Sequence, residues 1–231
     1  QAGFVMVFVG LETPDEKALA LNGKTQNLRE DVLVSVRRIQ SHGLEVTGGF
    51  IVGFAGETDD IFDRQVRFVQ EAGVATAMVG LLMALPNTRL YRRLLAEGRL
   101  VEECEGNNNH VVRLNYVPQM PAERLMAGYK DLLARIYSPA AYFRRCRTLL
   151  ARLPRRPRVS TGLRRGDLRA FFRSLVLQGA SRYGVRYLSL LLWTALTRPA
   201  RFPMAVTLAV RGHHYFRITR EILEAHAFAA L

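Results

Sequence analysis

The first half of the chain alternates short apolar runs with stretches of helical periodicity. The apolar runs cover residues 4–10, 46–54 and 75–85, and the first is rich in valine. Continuous apolar runs of this length are typical of strands that are buried on both faces. Because a helix-length segment separates each run from the next, the pattern predicts right-handed parallel βαβ connections.

Polar residues and glycines mark where the intervening helices are expected to begin and end. A helix start is favoured where a side chain can accept a hydrogen bond from the first turn, and a stop is favoured at glycine. Glu30 strengthens the first start, because its position three residues after Asn27 completes a capping-box pattern. The predicted starts are Asn27, Thr58 and Thr88, and the predicted stops are Gly43, Gly73 and Gly98.

The carboxyl ends of the three predicted strands are the places where chemistry is expected. In parallel sheets, ligands lie outside these ends. The segments that follow the strands are 11–14, 53–57 and 83–86. We assign Glu57, the acidic residue of the second segment, to the start of the next helix, where the helix dipole favours a negative charge.

The second half of the chain is predicted to be helical throughout. Two helices are expected at 122–136 and 139–153, followed by a break at the Pro-Arg-Arg-Pro stretch 154–157. The later apolar runs, 188–196 and 204–210, are much shorter than the roughly 20 residues that span a bilayer. Their arginine-rich flanks leave two interpretations, which are a packed helical domain and helices lying on an anionic membrane surface.

The charge of the chain is divided unevenly between its halves. Residues 1–120 hold 12 Lys+Arg and 15 Asp+Glu, whereas residues 121–231 hold 21 and 5. The formal net charge of +13 therefore belongs entirely to the second half, and the change of sign predicts a domain boundary near residues 100–120. A basic half could contact nucleic acid through its phosphates, and nucleic acid is the alternative, less favoured partner.

Cysteine usage limits the chemistry that this chain can perform alone. Cys104 and Cys146 are its two cysteines, too few for a disulfide framework or for a zinc or iron–sulfur site built by this chain alone. A reduced, cytoplasmic compartment is the expectation. The chain begins with Gln1 and enters an apolar run directly, so we expect it to be part of a longer protein.

Three segments in order resemble one known family. They are VFVGLETPDEKALALNGKTQN at 7–27, GGFIVGFAGETDDIFDRQ at 48–65 and LLMALPNTRLYRRL at 81–94. These segments resemble the C-terminal half of a radical SAM barrel, in particular that of the cobalamin-binding group that includes the hopanoid methylases. The segments at 106–120 and 125–146 resemble the helical C-terminal extension of the same group.

The resemblance implies an α/β fold with three parts. Residues 1–100 are expected to form the C-terminal half of a partial parallel (βα) TIM-like radical SAM barrel. Residues 101–120 are expected to connect it to a basic, all-helical extension at 121–231. Within the connection, Asn107–Asn109 form either a simple turn or a loop that closes over the substrate.

The resemblance also implies cofactors that this chain cannot hold alone. S-adenosylmethionine is expected across the strand ends, whereas the CxxxCxxC loop for a 4Fe-4S cluster and the cobalamin domain belong upstream. The implied activity of the complete protein is methyl transfer to an unactivated carbon of a small molecule or a lipid. The alternatives are an enzyme that modifies RNA, and an inactive fragment whose basic extension is a binding module. The fragment alone is expected to be inactive, with any membrane contact peripheral.

The resemblance assigns candidate S-adenosylmethionine contacts to each strand end. After the first strand, Glu12 and the adjacent Thr13 match the family's position for hydrogen bonds with the ribose or amino group. The other matches, which surround the adenine, are Gly49, Ile51, Gly53, Phe54, Leu85 and Pro86. Without the resemblance, Glu12 alone would be interpreted as a helix-cap or loop carboxylate, and the glycines as marks of bulges or tight packing.

Overall fold

The computed structural model describes residues 3–24, 29–102, 114–155 and 165–224. Its first half is built from three strands, each followed by one or two helices. In chain order the elements are β1 (Met6–Glu12), α1 (Glu16–Leu21), α2 (Val32–Ser41), β2 (Glu45–Val52), α3 (Ile61–Ala72), β3 (Ala77–Leu81) and α4 (Arg89–Ala96). The short helix α1 was not predicted.

The strands form one parallel sheet in the order β1-β2-β3. One face of the sheet is buried by apolar side chains such as Val46, Phe50 and Val52, which belong to the hydrophobic core. The opposite face leaves Phe8 and Met78 exposed. The predicted α/β class with parallel βα units is confirmed.

Helix boundaries show where the sequence signals were right and where they were wrong. Thr88 caps α4 by accepting a hydrogen bond from Tyr91 N at 3.2 Å, and Gly73 ends α3 with a φ of +64°, both as predicted. The capping box is wrong, because α2 is capped by Asp31, whose carboxylate accepts from Leu33 N at 2.8 Å.

Three further details of these boundaries differ from the prediction. Asn27 lies outside the described residues, and the carboxylate of Glu30 pairs with Arg38 at 3.0 Å. The helix α3 begins after Asp60 rather than at Thr58, whose hydroxyl bonds the Asp60 carboxylate instead. The third strand ends at Leu81, four residues before the apolar run ends.

The second half of the chain is helical, as predicted. Its elements are α5 (Ala122–Ile136), α6 (Pro139–Arg152), α7 (Arg165–Gly179), α8 (Gly184–Thr197), a 3-10 helix (Pro199–Arg201) and α9 (Phe202–Glu224). The helices α6, α8 and α9 pack against one another and share a core with the sheet. No helix among the described residues is long and apolar enough to cross a membrane.

The extension covers the outer edge of β3. Tyr137 donates its hydroxyl to Ala77 O at 2.6 Å and accepts from Ala77 N at 3.2 Å. Tyr129, two turns earlier in α5, donates to Val79 O at 3.0 Å. An edge strand with unpaired backbone groups is prone to intermolecular pairing. These two tyrosines provide hydrogen-bond partners for backbone groups on the edge of β3 that β2 does not cover.

Several arginines of the basic extension are internal. Arg145 is fully buried and donates to Val74 O at 3.0 Å and Ile136 O at 2.6 Å. Arg152 donates to Ala72 O at 2.7 Å and Glu71 O at 2.8 Å, where a cation is favoured by the C-terminal end of the α3 dipole. Part of the positive charge therefore serves the core rather than a partner.

Candidate functional site

Glu12 is the last residue of β1 and adopts an unusual backbone conformation. Its φ is +61°, and the pairing of β1 with β2 shifts between Gly10 and Glu12. A positive φ is uncommon for residues other than glycine and is found most often where function or packing imposes it. The Glu12 carboxylate turns back over Gly10, because a Cβ built on that glycine would lie 3.1 Å from Glu12 Oε1.

Only one of the two carboxylate oxygens of Glu12 has a hydrogen-bond partner among the described residues. Lys24 Nζ lies 3.1 Å from Oε1, whereas Oε2 is buried without a hydrogen-bond partner among the described residues. The side chain is 14% exposed. A buried carboxylate oxygen without a donor is costly, so this atom is suited to a hydrogen-bond donor supplied by a ligand.

Three glycines on one face of the sheet lie beside this carboxylate, and we call Gly10, Gly49 and Gly80 the glycine floor. Gly10 pairs with Gly49, and Ile51 pairs with Gly80, so these four positions share the sheet face that carries Phe8. A Cβ on Gly80 would meet no atom within 4 Å. The Phe8 ring lies over Gly49 and the Glu12 carboxylate over Gly10, so the open part of this face is at Gly80. A flat ring can approach the backbone closely there, with Ile51 as an apolar contact. Gly10 and Gly80 were not predicted as site residues.

Glu57 joins the ends of β1 and β2, which corrects its assignment to the α3 start. Thr13 donates its hydroxyl to Glu57 Oε1 at 2.9 Å. Oε2 accepts from Gly53 N at 2.8 Å and from Phe54 N at 3.1 Å. Burial raises the pKa of the Glu57 carboxyl to about 7, although the three hydrogen bonds oppose this shift.

The same contacts fix the roles available to Thr13 and Phe54. Both are buried, at 2% and 4% exposure, and the Phe54 ring belongs to the hydrophobic core. Because the Thr13 hydroxyl and the Phe54 N–H are used by Glu57, these two residues are placed to shape the site rather than to line it. The sequence did not predict this arrangement. Its only local signal is a carboxylate four residues after Gly53, which does not indicate a bond to Thr13.

The connecting segment braces the loop after β2. Tyr116 donates its hydroxyl to Gly53 O at 2.9 Å, and Gly56 N donates to Gln119 Oε1 at 3.0 Å. Gly53 has a φ of +100°, a conformation that side chains disfavour, which explains the glycine. These braces were not predicted, although both lie in the segment 106–120 that resembles the family extension.

The loop after β3 is held by the same segment. The side chain of Asn115 accepts from Ala84 N at 3.0 Å and donates to Ala84 O at 2.8 Å. Leu85 and Pro86 follow directly and are exposed. The carboxyl ends of neighbouring parallel strands lie at one edge of the sheet, so these residues border the floor on the β3 side.

Cysteine chemistry plays no part in the described site. Cys146 is fully buried in α6, and burial raises the pKa of its thiol to about 12, so it is a protonated core residue. Cys104 lies outside the described residues, as do Asn107–Asn109. The described parts of the chain contain no cluster of three or more His, Cys, Asp or Glu side chains that could hold a metal ion.

The strand ends therefore fit part of S-adenosylmethionine and do not fit an iron–sulfur cluster. The fit rests on two observations, which are the Glu12 oxygen without a donor and the open space over Gly80. A hydroxyl or amino group could donate to the first, and a purine ring could lie on the second. Thiolate ligands for a cluster are not provided by the described residues.

Comparison with known proteins places the chain in a family. Residues 88–227 match a family model described as a domain of unknown function, DUF4070. The chain belongs to the DUF4070 family. The match starts at the cap of α4 and includes the segment that braces the site, so the DUF4070 region covers both the extension and part of the sheet's surroundings.

The curated relatives of this DUF4070 chain carry methyltransferase names. It is 34% identical over 224 residues to an uncharacterized methyltransferase, sll1242, of Synechocystis, which covers 95% of the chain and 41% of that protein. It is 35% identical over 145 residues to the hopanoid C-2 methylase of Rhodopseudomonas palustris, which covers 63% of the chain and 26% of that protein. The predicted resemblance to the hopanoid methylase group is confirmed.

The alignments also show how much of the relatives is missing. The chain spans well under half the length of these two proteins. An uncharacterized methyltransferase of Pyrococcus horikoshii is 25% identical over 101 residues, or 44% of the chain and 22% of that protein. No solved structure is significantly similar.

Proposed function

We propose that this chain is the C-terminal part of a methyltransferase of the radical SAM type, in which it holds S-adenosylmethionine. The observation that carries the proposal is the Glu12 oxygen that has no partner among the described residues, on the same face as the open space over Gly80. The methyltransferase names of the relatives support the reaction class. S-adenosylmethionine, when bound, is a methyl donor and, in radical enzymes, the source of the group that abstracts a hydrogen atom.

In this proposal each strand end has a separate task. Glu12 accepts hydrogen bonds from the ribose hydroxyls or the amino group, while Lys24 neutralises its other oxygen. Gly80 and Ile51 lie against the adenine, beside the Phe8 ring that covers Gly49, and Leu85 and Pro86 flank it. Gly53 is held by its hydrogen bonds with Glu57 and Tyr116. It thereby positions the loop that follows β2.

The surroundings of the floor suit an apolar substrate. Phe8, Met78 and Leu85 are exposed large apolar side chains near the strand face and its edge. Apolar walls exclude water, which protects reactive species and strengthens polar contacts inside a site. We propose a small molecule or a lipid as the substrate, with an unactivated carbon as the methylated position.

The 4Fe-4S cluster and the cobalamin implied by the resemblance are assigned to an upstream part of the protein. This assignment agrees with the burial of Cys146 and with the length of the relatives. It makes the 231-residue chain inactive alone, whereas the complete protein is a cobalamin-dependent enzyme.

A cleavage assay tests the proposal without knowledge of the substrate. The complete protein, reconstituted anaerobically with iron, sulfide and cobalamin, is mixed with S-adenosylmethionine and a strong reductant. We expect 5′-deoxyadenosine from the complete protein and none from the 231-residue chain. Binding of S-adenosylmethionine without formation of 5′-deoxyadenosine would contradict the radical type, and an absence of binding would contradict the site.

A further inference from the structure

The outer helices of the extension carry a large excess of positive charge. Residues 168–220 contain nine arginines and no aspartate or glutamate. Charges of the same sign on one surface repel one another and destabilise the compact state, and such a surface attracts partners of opposite charge. Only the arginines that make no contacts inside the fold are available to such a partner.

Some of these arginines are occupied by internal contacts. Arg211 pairs with Glu45 at 2.7 Å and Arg217 with Glu221 at 3.0 Å. Arg198 donates to Leu153 O at 2.7 Å and Arg201 to Pro154 O at 2.9 Å. The exposed arginines of this range with no ion pair or hydrogen bond to any described residue are Arg169, Arg173, Arg182, Arg186 and Arg220.

Four of these five arginines belong to the α7–α8 hairpin, which we define as residues 165–197, whereas Arg220 lies on α9. Arg169 and Arg173 lie on α7, Arg186 lies on α8, and Arg182 lies in the turn between the two helices. The main contacts of both helices are with each other, with α6, α9 and the 3-10 helix. The hairpin is therefore an outer layer of the extension, away from the glycine floor of the sheet.

The hairpin also exposes apolar side chains in a regular pattern. Val185, Leu192 and Leu196 of α8 are 84%, 62% and 75% exposed, and with Leu188 they follow helical spacing along one face. The opposite face packs against the core through Tyr187, Leu190 and Leu191. On α7, Phe172 and Val176, four residues apart, are exposed in the same way.

We propose that the α7–α8 hairpin lies on an anionic lipid bilayer, with its apolar side chains in the interface and its arginines at the headgroups. A helix with an apolar face flanked by arginines is suited to this position. The 14 residues of α8 extend about 21 Å along such a surface. Nucleic acid offers the negative charge but gives no use for four exposed aliphatic residues on one face.

The hairpin proposal is separate from the proposed methyl transfer. The hairpin does not include any candidate S-adenosylmethionine contact, so lipid binding can fail while cofactor binding persists, and the reverse. If both hold, a lipid substrate is brought to the site by the surface on which the protein lies.

Vesicle sedimentation tests the hairpin directly. The complete protein is mixed with vesicles of phosphatidylcholine, alone or combined with phosphatidylglycerol. We expect sedimentation with the anionic vesicles and not with the neutral ones. At 1 M salt the Debye length falls to about 3 Å, so release should be partial, because burial of apolar side chains does not depend on salt.

Two pairs of variants separate the contributions. Val185→Glu with Leu192→Glu should lower the partition coefficient at least tenfold. Arg173→Glu with Arg186→Glu should lower it by about fivefold or more for each charge and should remove most of the salt dependence. The matched controls are Leu95→Glu on α4 and Arg67→Glu on α3, both exposed outside the hairpin, and neither should change sedimentation.

Three results would overturn the inference. The first is equal sedimentation of the apolar variant and the unmodified protein. The second is tight RNA binding that the arginine variant loses and the apolar variant keeps, which would assign the hairpin to nucleic acid. The third is a dimer in analytical ultracentrifugation that only the apolar variant dissociates, without any vesicle binding, which would assign the face to a second copy.

Discussion

Thr13 and Glu57 are 44 residues apart in the chain and are joined by a buried hydrogen bond of 2.9 Å. Thr13 follows β1 and Glu57 follows β2, so this bond connects two neighbouring strand ends. Since Glu57 also accepts from Gly53 N and Phe54 N, one carboxyl sets the relative positions of two loops that carry the candidate site.

Replacing Glu57 should change how stability depends on pH. The carboxyl ionises near pH 4.5 when unfolded and near pH 7 when folded, so its contribution to stability falls as pH rises through this interval. Glu57→Gln cannot ionise, and its amide can keep bonds with Thr13 and Gly53. We expect the variant to gain stability relative to the unmodified protein from pH 5 to about pH 7, by up to about 1.4 kcal/mol per pH unit, and to gain little more above pH 7.

Urea unfolding at pH 5, 6, 7 and 8 measures this difference. Glu16→Gln on α1 is the control, because it makes the same change at an exposed side chain. A Glu57→Gln difference that is flat from pH 5 to pH 8 would show that Glu57 is ionised in the folded protein throughout.

Removing Asn115 should destabilise the loop after β3. Asn115→Ala leaves Ala84 N and Ala84 O without the side chain that binds both. A buried polar group without a partner costs about 1–3 kcal/mol, so we expect a loss in that range in urea unfolding. Gln119→Ala, which removes one bond to the exposed Gly56 N, should cost less than half as much. Equal losses of unfolding free energy in the two variants would mean that the bonds of Asn115 to Ala84 stabilise the protein no more than the bond of Gln119 to Gly56.

The sequence predicted most of the fold because the pattern of apolar residues is strong. The apolar run at 46–54 covers all of β2 except Glu45, and the helix predicted at 122–136 matches α5. The start of α2 was wrongly predicted, because Asp31 is also a residue type that caps helices and its carboxylate accepts from Leu33 N. The strand β3 is shorter than its apolar run because the clamp of Asn115 on Ala84 holds that residue outside the sheet.

The candidate site was only partly predictable. Glu12 and Gly49 stand out because they follow or interrupt apolar strands. Glu57 and Asn115 act through partners 44 and 31 residues away, and no local pattern shows such pairs. Gly80 became visible only through the pairing of β3 with β2, which places it beside Ile51.

Glu12 should contribute strongly to cofactor affinity in the complete protein. Glu12→Ala removes a carboxylate whose charge-assisted hydrogen bonds are worth about 1.5–3 kcal/mol, or roughly ten- to hundredfold in affinity. Isothermal titration with S-adenosylmethionine measures the loss, and Glu16→Ala, a nearby exposed carboxylate, should show none. An unchanged dissociation constant with an unchanged unfolding midpoint would return Glu12 to the role of a loop carboxylate.

The glycine floor offers the most direct test of the central claim, that S-adenosylmethionine lies on this sheet face. Gly80→Val places a side chain in open space, and valine favours strands, so the fold should tolerate it. Gly179→Ala on α7, which also meets no neighbouring atom, is the control. We measure the dissociation constant of S-adenosylmethionine by equilibrium dialysis and the unfolding midpoint of each variant. The account predicts at least a tenfold weaker affinity for Gly80→Val alone, with both midpoints unchanged, whereas unchanged affinity would contradict it.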